Sequence, residues 1–197
     1  MKKTFVISIA SIAGGGKTTI VAVLKERLKN SIVIYFDDYD DRVTIDCDIN
    51  EWSADGNDCN EWNTEAIAAD IRQLLDETYD YIILDYPFGY LNDCVGKYID
   101  CSIFIDTPLD LALVRRIIRD YTSRPQDSSF GLSDVEEVSL SALDKELRFY
   151  LGYSRPTYER MIVTNKPASD LIVDGTKTPD EIVDSIVDFI AAKRKEI

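Results

Sequence analysis

The chain has 197 residues, 45% of them apolar, which is about one domain's worth and enough to bury a sizeable core. Its 22 basic and 36 acidic residues leave a net charge of -14, which repels nucleic-acid backbones and anionic membrane surfaces; neither is an expected partner, and any phosphate must be captured locally. No histidine is present, so imidazole general bases and histidine-held metals are excluded.

The first element is an apolar run, "TFVISIA" (Thr4 to Ala10), read as a buried strand. It follows a short basic start and continues directly into a glycine loop, which argues against a cleavable signal, and a cytoplasmic protein is expected. The loop, "SIAGGGKTT", matches G-x-x-x-x-G-K-[ST] with Ser11 in place of the first glycine and with Gly16, Lys17 and Thr18 at the other marked positions. Ala13, Gly14, Gly15 and Gly16 are small enough to let backbone N–H groups face phosphate oxygens. Lys17 adds a cation, Thr18 offers a hydroxyl to magnesium, and Thr19 stands beside them at the start of a helix carrying Ile20, Val21 and Leu24. A nucleoside triphosphate is the natural ligand. A side chain at Ser11 is expected to crowd the first bend.

The second strand is "SIVIYF" (Ser31 to Phe36), and Asp37 and Asp38 lie just past its end, where α/β sheets place ligands. From Asp40 to Asn63 no period is visible. Within that stretch Trp52 and Trp62 supply aromatic faces, and Asp58 and Glu61 supply polar edges, a combination suited either to an acceptor pocket or to pinning a long loop. Ile67, Ile71, Leu74 and Leu75 recur at helical spacing before the third strand, "YIILDY" (Tyr81 to Tyr86). Asp85, at the end of that strand, is a carboxylate able to hold magnesium through water.

A fourth strand, "CSIFID" (Cys101 to Asp106), leads into Thr107-Pro108-Leu109-Asp110, read as a hydroxyl cap with proline at the first helical position. The helix that follows bears Arg115, Arg116 and Arg119; Arg115 and Arg119 fall one turn apart on one face. Arg124 lies in the next aperiodic stretch, Tyr121 to Ser133, and Ser133 with Glu136 suggests a further helix start. The last strand is "DLIVD" (Asp170 to Asp174). Thr178-Pro179-Asp180-Glu181 then opens a final helix with Ile182, Val183, Ile186, Val187 and Ile190 on its buried face. The four cysteines make no C-x-x-C pair and read as reduced thiols.

Five short apolar strands alternating with helices predict a doubly wound α/β fold with a five-stranded parallel sheet and helices on both faces, in one domain over residues 1–197. In "VIYFDDYD" the chain resembles the P-loop kinases of the uridine kinase and nicotinamide riboside kinase type, where an acid in this setting deprotonates the acceptor hydroxyl. Asp37-Asp38-Tyr39-Asp40 matches the start of that motif with Asp37 in the catalytic position. "FIDTPLDLALVRRIIRD" resembles the family's strand and helix leading into an arginine-bearing lid, about residues 121–133 here, and "NKPASDLIVDG" resembles its last strand and the turn before it.

The resemblance implies a P-loop NTPase fold, ATP with magnesium, and phosphoryl transfer to a hydroxyl of a small molecule, a nucleoside in the first instance. It implies catalytic roles for Asp37, Lys17, Arg116 and Arg119, and nucleotide contacts from residues 13–19 and Arg115. Thr18 and Asp85 would hold the metal, and Asp37, Asp38 and Tyr39 would face the acceptor; Trp52, Asp58, Glu61 and Trp62 are acceptor candidates from their aromatic and polar character alone, in the segment least like the family. A kinase of another metabolite, a non-catalytic nucleotide-binding regulator and a homo-oligomeric assembly stay open. A GTP-binding switch does not: "TNKPAS" has Ala168 where N-K-x-D needs its aspartate, and after Asp85 the glycine comes late, at Gly89.

Overall fold

In the computed structural model, residues 4–48, 51, 52, 56, 58–122 and 132–195 are described. Five parallel strands, β1 (Phe5–Ala10), β2 (Ser31–Tyr35), β5 (Tyr81–Asp85), β6 (Cys101–Asp106) and β7 (Leu171–Asp174), form one sheet in the order β2-β5-β1-β6-β7. The strand boundaries fall within a residue or so of the apolar runs. Apolar residues on both alternations are what a strand covered on two faces requires.

Residues of β1 divide between two cores. Phe5, Ile7 and Ile9 pack with Ile20, Val21 and Leu24 of helix α1 (Lys17–Arg27) and with Ile182, Val183, Ile186 and Ile190 of the C-terminal helix, Pro179–Lys193. Val6, with Ile82 and Leu84 of β5, packs on the other face against Ile67, Ala68 and Ile71 of α2 (Glu65–Leu75). Each fully buried aliphatic side chain of this kind stabilises the fold by about 1.5–3 kcal/mol relative to exposure. Because β1 has β5 on one side and β6 on the other, the loop after β1 lies where the strand order reverses, the place at which open α/β sheets form a ligand crevice.

Several local expectations are met and others are corrected. Thr178 opens the last helix as a capping box: its backbone N–H donates to Glu181 Oε2 at 3.0 Å, and the Glu181 N–H donates back to the hydroxyl. Thr107 does not cap its helix. The helix α3 (Asp93–Gly96) is a single turn, and α4 (Leu109–Ile117) has Pro108 at its cap position; the buried Thr107 hydroxyl instead donates to the Gly15 carbonyl at 2.9 Å. The segment before β7 is not a turn. Asn165 and Lys166 are helical, in α6 (Arg155–Ala168), where Lys166 pairs with Asp106 at 2.6 Å and Asn165 Nδ2 donates to the Pro87 carbonyl at 2.9 Å.

The aperiodic stretch Asp40 to Asn63 contains a two-residue antiparallel pair, β3 (Thr44–Ile45) with β4 (Trp62–Asn63). It also contains a 3-10 turn, Cys59–Glu61, opened by the Asp58 side chain accepting from the Asn60 N–H. After α4 the chain makes a π-helical turn, Ile118–Thr122, and resumes in helix α5 (Leu132–Phe149). Residues 123–131 of the expected lid, including Arg124, lie outside the described residues, as do the side chains of Ser133 and Glu136. All four cysteines are free thiols, and burial pushes Cys59 and Cys101 up to about 12. Among the described residues no helix is long and apolar enough to cross a membrane.

Candidate active site

The loop after β1 wraps a cavity of about 390 Å³ lined by Ala13, Gly14, Gly16, Lys17, Thr18, Thr19 and Asp37, together with Arg115, Arg116 and Arg119. Two glycines are required by backbone conformation, Gly14 at φ 81° and Gly16 at φ 99°. Gly14 has a second reason to be glycine: a Cβ there would stand 2.3 Å from the Ala112 carbonyl oxygen and 2.8 Å from Arg116 Cγ. Its bareness is what lets the arginine-bearing helix α4 come down onto the loop.

Ser11 does not crowd the bend as the sequence suggested. It is buried, its hydroxyl donates to the Ile105 carbonyl at 2.9 Å, and it avoids the left-handed region. Space is made instead at Gly15, where a Cβ would fall 1.9 Å from Ser11 Oγ. The loop is held from both sides, through Ser11 to the end of β6 and through the Gly15 carbonyl to Thr107 just beyond that strand. Thr107 went unrecognised in the sequence because a hydroxyl before proline reads more simply as a helix cap.

At the mouth of α1, Thr18 Oγ1 donates to Asp85 Oδ2 at 2.7 Å, and Lys17 Nζ lies 4.0 Å from Asp85 Oδ1. A hydroxyl and a carboxylate are hard oxygen donors of the kind magnesium prefers. No group of three metal-ligating side chains occurs among the described residues, so such an ion would keep several waters. Burial raises the Asp85 carboxyl above its ordinary range, against the opposing pull of Lys17 and the Thr18 hydrogen bond.

A carboxyl raised on folding makes the folded state bind protons more readily than the unfolded one. Its ionised form therefore lowers stability above the folded pKa, and the penalty vanishes as pH falls below the unfolded value. In magnesium-free buffer at neutral pH, Asp85→Asn is expected to unfold at a higher urea concentration than the unmodified protein. The gap should close on acidification through the carboxylate range; a gap that is constant with pH would assign it to packing instead.

The remaining site candidates divide. Phe36–Tyr39 form one 3-10 turn at the end of β2, and from it Asp37 lines the cavity at the glycine loop. Asp38 is exposed and is not part of that lining. Tyr39 departs from expectation. It is buried with its hydroxyl on the Asp70 carboxylate at 2.5 Å and Arg42 over its ring, and it does not line the cavity at the glycine loop.

Trp52 and Trp62 line a second cavity of about 260 Å³ together with Phe36 and Phe88. Asp58 and Glu61 do not reach it: Asp58 caps the 3-10 turn, and Glu61 accepts a 3.5 Å contact from Cys47 Sγ. Arg116 borders both cavities, its guanidinium bonded to Glu146 at 2.5 Å and to Tyr158 Oη at 3.1 Å. Arg119 is paired with Asp120 in a two-point contact. Arg115 donates to the Gly175 carbonyl at 3.2 Å and borders a third cavity, of about 200 Å³, with Gly15, Gly16, Thr19 and Lys177. Gly175 and Lys177 were missed; their signal was position, in the loop after the last strand at the ligand edge of the sheet.

No family model matches the chain. It is 25% identical over 213 residues to the uridine kinase of Borrelia hermsii, covering 97% of this chain and 96% of that one. It is also 25% identical over 223 residues to uridine-cytidine kinase B of Dictyostelium discoideum, covering 99% and 84%. A solved structure of an uncharacterised protein from Eubacterium ventriosum superposes with a TM-score of 0.51 at 16% identity, over 96% of this chain and 99% of that one. That likeness shows the fold alone, a parallel α/β sheet with the glycine loop after its central strand. In sequence the chain is similar to uridine kinases over nearly its whole length.

Proposed function

We propose that the protein is an ATP-dependent kinase that transfers the γ-phosphoryl group to a hydroxyl of a small molecule. The observation that carries this reading is the single turn after β2, which offers Asp37 to the phosphate cavity and Phe36 to the neighbouring apolar one. A carboxylate at the junction of a phosphate site and a ring-sized pocket is what an alcohol kinase without histidine requires.

In this reading the triphosphate lies in the loop against the N–H groups of residues 13–19 and Lys17, with the base toward the cavity at Arg115, Gly175 and Lys177. Magnesium at Thr18, and through water at Asp85, would neutralise charge on the phosphate oxygens. The acceptor oxygen attacks the γ-phosphorus. A new P–O bond forms as the bond to the bridging oxygen breaks, ADP leaves, and the hydroxyl proton passes to Asp37. Arg116 and Arg119 line the same cavity and would offset the charge that develops there.

The names of the relatives make a nucleoside the first acceptor to test, whereas the lining of the apolar cavity favours a less polar alcohol. ADP release measured with magnesium and ATP across nucleosides and simple alcohols tests the kinase reading: acceptor-stimulated release supports it, and release indifferent to every acceptor speaks for a non-catalytic nucleotide binder.

A further inference from the structure

We infer that the acceptor's body is a flat, uncharged ring of low polarity carrying the alcohol, bound in the cavity of about 260 Å³; this rests on the kinase reading and adds the acceptor's chemical class to it. One wall of that cavity is an aromatic cluster. Phe36 meets Phe88 edge to face at 5.6 Å, Trp52 meets Trp62 likewise at 5.6 Å, and Trp62 joins the two pairs at 5.7 Å from Phe88. The opposite wall comes from the end of α5, the π-helical turn Tyr150–Ser154 and α6, through Phe149, Tyr153 and Met161. A slot walled by ring edges and faces on one side and by rings and a thioether on the other selects a planar guest.

Polar recognition is scarce. Among the described residues no carboxylate, amide or lysine lines the cavity, and its one charged group, Arg116, is already held by Glu146 and Tyr158. The Thr157 hydroxyl donates to the Tyr153 carbonyl at 2.9 Å, and the Trp52 indole N–H donates to the Asp58 carbonyl at 2.8 Å. The Trp62 indole N–H is buried with no partner among the described residues, and the Ser154 and Tyr158 hydroxyls also line the cavity; a ribonucleoside, with a diol and a base edge, would bring more hydrogen-bonding groups than these few can match. A ring alcohol brings one hydroxyl. That hydroxyl has a way out, because Phe36 and Asp37 are neighbours on one turn and Arg116 borders both cavities: the ring stays among the aromatics while the oxygen emerges beside Asp37.

Both tryptophans of the chain line this cavity, so intrinsic tryptophan emission reports on it with no label. Titrating the full chain with benzyl alcohol, 4-chlorobenzyl alcohol, uridine and cytidine is expected to give half-saturation for the benzyl alcohols at concentrations at least about tenfold below those for the nucleosides. Phe149→Asp, on the partly exposed wall, should raise the benzyl alcohol value by about tenfold or more with the far-ultraviolet circular dichroism unchanged. Tighter half-saturation by uridine, no emission change with the benzyl alcohols, or an unaltered value in folded Phe149→Asp would each overturn the assignment. The titration uses no nucleotide. A protein that binds benzyl alcohols but transfers no phosphate therefore counts against the kinase reading and not against the cavity's preference.

Discussion

Asp37→Asn is expected to lower acceptor phosphorylation by about 10² to 10⁴ while leaving ATP binding almost intact, because the amide keeps the shape of the carboxylate and loses its basicity. The geometry separates Asp37 from its neighbours. Asp37 lines the cavity at the glycine loop, Asp38 is not part of that lining, and Asp85 is buried with Thr18 bonded to it. Asp38→Asn should therefore change turnover little, and Asp85→Asn should shift the magnesium requirement rather than abolish transfer at saturating metal. Steady-state turnover against magnesium for the three variants, with ATP affinity measured by calorimetry, checks the assignment. Normal turnover in Asp37→Asn beside an inactive Asp38→Asn would move the proton acceptor one residue along the turn.

Lys17→Ala is the second variant with a large expected effect, a loss of about 10² to 10³ in transfer rate, the usual consequence of removing one preorganised charge-stabilising donor. Lys17 stands 4.0 Å from Asp85, so its removal also takes away the cation that opposes burial at that carboxyl and should raise it further. The variant should fold, since the side chain belongs to the cavity and not to either core. Unchanged ATP turnover in folded Lys17→Ala would remove the basis for reading the loop as a phosphate site.

The central sheet was legible because strands buried on both faces have to be apolar on both alternations, as β1, β5 and β6 are; the edge strand β7 reads the same way although its Ile172 is exposed. The glycine loop was legible as a cavity-forming turn because its residues are consecutive, Ser11 to Thr19. Asp37, Lys17, Thr18 and the three arginines then met in one cavity because α/β topology brings strand ends to a common edge. What stayed hidden depended on contacts distant in sequence. That Ser11 fits is a matter of Gly15 beside it and Ile105 across the sheet. Tyr39 looked like a substrate residue from its motif, but Asp70, on α2, holds it in the core. Asp58 and Glu61 shared a polar, aromatic stretch with Trp52 and Trp62, yet only the tryptophans turn toward the pocket. Its other wall comes from residues about a hundred positions later, at the junction of α5 and α6, which no local pattern reveals.

The most direct test of the central claim is to follow the γ-phosphate of labelled ATP in the presence of magnesium and a mixed pool of nucleosides and ring alcohols. The kinase reading predicts label in an organic phosphate monoester, with the transfer reduced by orders of magnitude in Asp37→Asn. Label found only in inorganic phosphate, or no ATP consumption with any acceptor while ATP still binds, would contradict it.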